Sequence, residues 1–288
     1  MGDVLAGFHA VWEFESDSVL IRFERGIRSP KLFQALGDRR VPLEAIAGVT
    51  LTQGRRGTVV LRAVPRPGAD PLMEAAAGQL KEAVDPYRLV LPADRHSLAE
   101  HCADELRSLI TEDGTPAERF LVAPPETPLY FKAYDGKASF DGRVVSFRWS
   151  WTGASSAKWK AGDQSFPVSA LSGVEWSSPE ALDGHLRLLR RDATAADAGR
   201  QVPPDQDPGA VVFGLGYGPV HESLPFAAAV LAAVRTAGPS AVPAAIPAAR
   251  RDPADIAERI RHLGELHKAG LVTDEEFSTK KAELLAEL

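Results

Sequence analysis

A single cysteine, Cys102, occurs in 288 residues. No intramolecular disulfide can form, and a Cys/His zinc cluster lacks its thiolates. No run of about 18 apolar residues is present, so no transmembrane helix is expected. The opening stretch MGDVLAGFHAVWEF has no basic segment followed by a long apolar core, so no secretory signal is expected. Also missing are the GxSxG elbow, the GxxxxGK[ST] phosphate loop, HExxH and CxxC. GLGYGP at 214–219 carries Pro219 where a dinucleotide fingerprint needs its third glycine, and reads as a strand-to-helix turn. The seven histidines are scattered, and His262 and His267, five apart, do not share a helical face. His101 is expected at the edge of a buried helix face, and its neighbour Cys102 as a packed structural residue. An enzyme is therefore not expected, and no metal or cofactor site is assigned.

The composition that is present is that of a soluble globular chain, 44% hydrophobic and 25% charged. The length suggests about two domains. A net charge of −6 argues against nucleic-acid binding driven by bulk charge. The expected location is the cytoplasm.

The chain repeats itself. VPLEAIAGVTL (41–51) matches FPVSALSGVEW (166–176), with Pro42, Ala45, Gly48 and Val49 opposite Pro167, Ala170, Gly173 and Val174. EFESDSVLIRF (13–23) matches SFDGRVVSFRW (139–149), pairing Phe14 with Phe140, Arg22 with Arg148 and Phe23 with Trp149. Gly57 and Leu61 match Gly184 and Leu188, and DPYRLVL (85–91) matches DPGAVVF (207–213). Four matches in one order over about 100 residues indicate a duplicated domain. Each copy reads as short β-branched strands separated by Gly, Pro and Asp turns, then one helix. In the first copy the helix is SLAEHCADELRSLI (97–110), with Leu98, Cys102, Leu106, Leu109 and Ile110 on one face and a Ser97/Glu100 capping box. In the second it is SLPFAAAVLAAVRTA (223–237), whose few charges predict deeper burial. The copies diverge at 68–86, where Leu72, Ala76 and Leu80 suggest a helical turn, and at 191–208, which is polar and proline-rich.

A small curved sheet with one closing helix suits a pleckstrin-homology-like (PH-like) barrel. VPLEAIAGV, ADPLMEAAAGQL and DPYRLVLPA resemble a family of bacterial, mostly actinobacterial, proteins. These have a duplicated PH-like domain of unknown function and a C-terminal SHOCT (short C-terminal) domain. The resemblance implies an α+β, mainly β fold: two tandem PH-like barrels, each closed by a C-terminal helix, then a two-helix hairpin. It brings no catalytic residues. The expected boundaries are 1–112 and 129–237 for the two domains, 113–128 for a linker, 238–251 for a Pro/Ala-rich tether and 252–288 for the hairpin.

The tail is closely specified. Asp252 and Pro253 form an N-terminal cap, Gly270 suits a left-handed helix end, and Thr273 with Glu276 caps a second helix flanked by the Val272/Phe277 staple. AGLVTDEEFSTKKAELL resembles the SHOCT motif. So short a unit, without cysteines, needs a partner surface to stay folded. Ile256, Ile260, Leu263, Leu266, Leu271, Phe277, Leu284 and Leu285 are the candidate residues for self-association or for docking a protein partner. A second candidate surface is basic. Residues 21–66 hold ten Arg and Lys against three acids, and Arg22, Arg25, Arg28, Lys31, Arg39 and Arg40 are its candidate anion ligands. Trp149, Trp151 and Trp159 lie in sequence beside Lys158 and Lys160, as core residues or a contact patch. The expected function is a non-enzymatic scaffold or adaptor whose tail oligomerises or docks a partner. The alternatives are an anionic-membrane module using 21–66 and, more remotely, a nucleic-acid-associated regulator. No small-molecule substrate is evident.

Overall fold

The computed structural model describes residues 3–110, 114–192, 202–238, 264, 273–274, 277–278 and 281–282. The chain divides into two compact units, Met1–Val242 and Pro243–Leu288. The first unit contains both repeats.

In the first repeat, β1 (Val4–Ala6), β2 (Ala10–Phe14), β3 (Ser18–Phe23) and β4 (Arg39–Pro42) form an antiparallel sheet in chain order. A second sheet holds β5 (Ile46–Gln53), β6 (Thr58–Pro65) and β7 (Arg88–Pro92). Helix α1 (Lys31–Leu36) bridges β3 and β4, α2 (Pro71–Ala76) bridges β6 and β7, and α3 (His96–Leu109) follows. The second repeat has the same plan. Strands β8 (Leu129–Lys132), β9 (Gly136–Phe140), β10 (Val144–Trp149) and β11 (Gln164–Pro167) form one sheet; β12 (Leu171–Ser177), β13 (His185–Arg190) and β14 (Ala210–Val212) form the other. Helix α4 (Ser156–Ala161) bridges β10 and β11, and α5 (Val220–Ala237) comes last.

Alternation makes the sheets. Val19, Ile21 and Phe23 of β3 face inward with Trp12 and Phe14 of β2 opposite them, and Val145, Phe147 and Trp149 do the same in β10. Proline makes the corners. Pro42 and Pro167 end their strands and start the 3-10 turns Leu43–Ala45 and Val168–Ala170, which send the chain into a second sheet. The expected closed barrel is therefore not what forms. In each repeat two separate sheets face each other, touching through single backbone bonds such as Phe8 N–H to Val90 O (2.9 Å) and Tyr134 N–H to Val212 O (3.0 Å).

Helix α3 starts two residues earlier than its capping box predicts, with Arg95 rather than Ser97 at the cap position. A 3-10 turn, Ala93–Arg95, runs directly into His96, so Ser97 lies inside the helix and caps nothing. Its inward face is Ala99, Cys102, Ala103 and Leu106, while Leu98 is exposed. Small residues were chosen there by close contact with β5 and β6.

Helix α5 is apolar almost all round because it is covered on both sides. One side lies on β12 and β8 of its own repeat; the other is covered by α1 and α2 of the first repeat. Leu32, Leu72, Ala75 and Ala76 thus belong to the second repeat's core rather than to their own. Helix α2 is fixed for that task by Asp70. Asp70 accepts the Leu72 N–H (2.9 Å), and Pro71 takes the first helical position. Its other oxygen receives the buried Arg39 guanidinium (2.8 Å) and the Tyr87 hydroxyl (2.7 Å). Polar bonds complete the seam: Gln79 Nε2 donates to Trp176 O (2.9 Å), Ser178 N–H donates to Gln79 Oε1 (2.8 Å), and Arg235 donates to Gly68 O (2.9 Å). No described helix is long and apolar enough to cross a membrane.

Candidate functional site

The seam opens into a cleft of about 680 Å³. Leu32, Leu80 and Val84 line it from the first repeat, and Trp176, Phe213 and Val220 from the second. Leu182 and Leu215 stand at its edge with their side chains fully in solvent, 105% and 104% exposed. A leucine so placed buries no apolar surface in the fold. The turn holding Leu215 out is GLGYGP. Gly216 and Gly218 have φ of +81° and +60°, and a Cβ on Gly218 would stand 2.1 Å from the Phe213 ring. A residue with a side chain is excluded there on both counts. The turn leads into α5 through Pro219, as the sequence implies.

The polar groups of the cleft are few. Gln79 is spent on the Trp176 and Ser178 backbone, and Lys81 pairs with Glu180 at 2.9 Å. Burial pushes the His221 imidazole below its usual value, Glu222 opposes that shift and Lys31 adds to it. Beside these few polar groups the cleft wall is apolar, formed by Leu32, Leu80, Val84, Trp176, Phe213 and Val220.

The basic stretch is divided. Arg39 is not an anion ligand: it is buried, and its charge is spent on Asp70. Arg40 pairs with Glu15 and donates to Ser18 Oγ (3.0 Å). Arg22 pairs with Glu13 (3.1 Å) and lies 3.9 Å from Asp38. Arg25, Arg28 and Lys31 remain in solvent around Ile27, whose side chain is fully exposed. Alternation on β4 separates the inward Arg39 from the outward Arg40, whereas Arg25 and Arg28 lie in the loop after β3 and Lys31 begins α1.

The tryptophan group divides too. Trp149 and Lys158 are buried, whereas Trp151 is partly exposed and packs edge-on against Trp159 at 5.2 Å. Lys158 occupies the place of Phe33. In the first repeat Phe33 stacks on Phe23 at 4.5 Å; in the second, Lys158 Nζ lies 4.8 Å from the Trp149 ring. Asp135 Oδ2 stands 2.5 Å from that ammonium, which also donates to Ala210 O (2.8 Å). Cys102 is buried, and burial raises its thiol pKa, as do the charges of Asp3 and Glu105. His101, expected at the edge of the buried face, is exposed.

Of the tail candidates, Ile256, Ile260, Leu263, Leu266, Leu271, Leu284 and Leu285 lie outside the described residues. Phe277 is helical, its N–H donates to Thr273 O (2.9 Å), and Lys281 Nζ lies 5.7 Å from its ring. The cleft was not foreseen. Its one signal was the divergent segment 68–86, which supplies α2, Gln79, Leu80 and Val84.

Comparison with known proteins gives two family matches. A domain of unknown function, DUF4429, matches residues 12–107 and again 138–231. The short C-terminal domain, SHOCT, matches residues 258–285. No curated protein matches the chain. The duplicated match covers more than half of the chain and coincides with the two sheet-and-helix repeats, so the protein belongs to the DUF4429 family, with two copies of that domain followed by a SHOCT domain.

Proposed function

We propose that this protein is a non-enzymatic scaffold or adaptor, in which two PH-like repeats form one binding body and the SHOCT tail self-associates or docks a protein partner. The order of four strands, three strands and a closing helix in each repeat supports the PH-like reading. The observation that carries the adaptor reading is the apolar cleft between the repeats with Leu182 and Leu215 fully exposed on it. Several tails joined together would present several clefts at once and turn weak contacts into avid ones. Light scattering on the full chain and on a chain ended at residue 250 tests the assembly step. The full chain should exceed its monomer mass of 30.9 kDa and the shortened one should not. A monomer in both cases removes self-association. Leu182→Asp with Leu215→Asp should leave the assembly mass unchanged, because the cleft serves the partner.

Arg25, Arg28 and Lys31 around the exposed Ile27 favour a second reading, docking on an anionic membrane. Co-sedimentation with anionic vesicles at low salt should then fall when Arg25 and Arg28 become Glu. No sedimentation of the unaltered protein would eliminate this reading, and salt-sensitive DNA binding would replace it with a nucleic-acid role.

A further inference from the structure

One group of side chains in the first repeat has no part in the cleft or the core. His101 and Glu105 lie four residues apart on α3, which places them on one face. Asp3 comes to the same place from the start of the chain, held by Phe14 N–H donating to its carbonyl (3.0 Å). One ligand atom from each, an imidazole nitrogen and two carboxylate oxygens, lies within 4.8 Å of the other two. No lysine or arginine among the described residues pairs with either carboxylate. Among the described residues this is the one such convergence.

We propose that Asp3, His101 and Glu105 form a binding site for a divalent transition-metal ion of the zinc type. One nitrogen and two oxygen donors are the set that borderline cations take, whereas magnesium prefers oxygen alone. Bond lengths of about 2.0–2.2 Å to such an ion require donors a little closer than they stand here. Asp3 and His101 are exposed and Glu105 half-buried, so side-chain rotation closes that gap without moving the backbone. Three protein donors leave a coordination position for water.

The fold itself does not ask for an acid at position 3. Leu129 of the second repeat pairs with Phe140 in the register where Asp3 meets Phe14, so an apolar residue serves the same strand position. An acid at Asp3 is a feature of the first repeat alone. A bound ion would join the first strand to α3, nearly one hundred residues away in the chain, and would offset two carboxylate charges. The structural role would then be a clasp on the first repeat, and the ion would not contribute to the cleft.

Calorimetric titration of the full chain with zinc chloride tests this, with magnesium chloride as the comparison. Saturable binding of one zinc per chain is expected, with a dissociation constant below roughly 100 μM. His101→Ala and Glu105→Gln should each weaken it by about tenfold or more. His262→Ala with His267→Ala should leave it unchanged, which separates this site from the tail histidines. The exposed His101 should be replaceable without change in the circular dichroism of the metal-free protein, so lost binding is not lost folding. Zinc should also raise the melting midpoint of the unaltered protein and not that of His101→Ala. No saturable zinc binding, or binding that His101→Ala leaves intact, overturns the proposal.

Discussion

Lys158 and Asp135 form an ion pair with their charged atoms 2.5 Å apart, and neither side chain has more than 3% of its surface in solvent. The equivalent place in the first repeat holds the Phe33–Phe23 stack. Burial dominates both partners: it raises the Asp135 carboxyl above the usual carboxylate range and lowers the Lys158 ammonium below its own, against the attraction between them. A buried pair whose desolvation outweighs its attraction contributes little net stability but is costly to break.

Asp135→Ala should therefore destabilise the protein by about 3–5 kcal/mol, since it leaves the ammonium unpaired in the core. Lys158→Met combined with Asp135→Asn should recover most of that loss. Urea unfolding of the three proteins checks the claim. A single-variant loss below about 1 kcal/mol would show that water reaches Lys158.

Asp70 joins the second repeat's support to the first repeat's core. It caps α2 while accepting from Arg39 and Tyr87. Asp70→Ala is expected to cost about 3–5 kcal/mol through the stranded guanidinium. Tyr87→Phe removes one neutral donor and should cost about 1 kcal/mol.

The same site gives a pH dependence. Burial first, and then the Asp70 charge, raise the Tyr87 phenol well above its ordinary value of 10.0. A raised folded-state value stabilises fully below the unfolded value and is lost as pH rises above it. Alkaline unfolding should thus begin above about pH 10. Comparing the ultraviolet titration of the unaltered protein with that of Tyr87→Phe isolates the Tyr87 phenol, which should ionise only as the protein unfolds. Ionisation of Tyr87 without loss of the fold would contradict its burial.

The two repeats should behave as one folding unit, because α5 finds half its cover in α1 and α2. Gln79→Ala strands the Trp176 carbonyl and the Ser178 N–H at the seam, and should cost about 1–3 kcal/mol. The second repeat expressed alone should aggregate, since its apolar helix α5 would lose the cover that α1 and α2 give it. A soluble, monomeric second repeat would refute this. Size-exclusion chromatography reads the result.

The duplication was legible in the sequence because it needs only matching turn residues, Pro42 with Pro167 and Gly48 with Gly173. The strands were legible for a similarly local reason, as short β-branched runs between turn residues; that Trp12, Phe14, Val19 and Ile21 face inward is seen in the structure. The cap of helix α3 was misplaced by two residues, since the turn at Ala93–Arg95 already supplies the first helical backbone and the Ser97 side chain is not needed. The basic stretch was overcounted, because a run of charges in sequence does not say which guanidinium is drawn inward. Arg39 is drawn in by Asp70, a residue 31 positions away.

The sequence by itself determined the repeat, the closing helix of each copy and the family, because those rest on local patterns and short-range turn chemistry, whereas the short helices α1 and α4 between strands were not read from it. Only the tertiary structure decided that α2 of one repeat covers α5 of the other, that a cleft opens at their seam with Leu182 and Leu215 exposed, and that Asp3 meets His101 and Glu105. Those relationships join residues up to 167 positions apart, as in Arg235 and Gly68. They depend on how separately formed surfaces fit, and no local pattern encodes that fit.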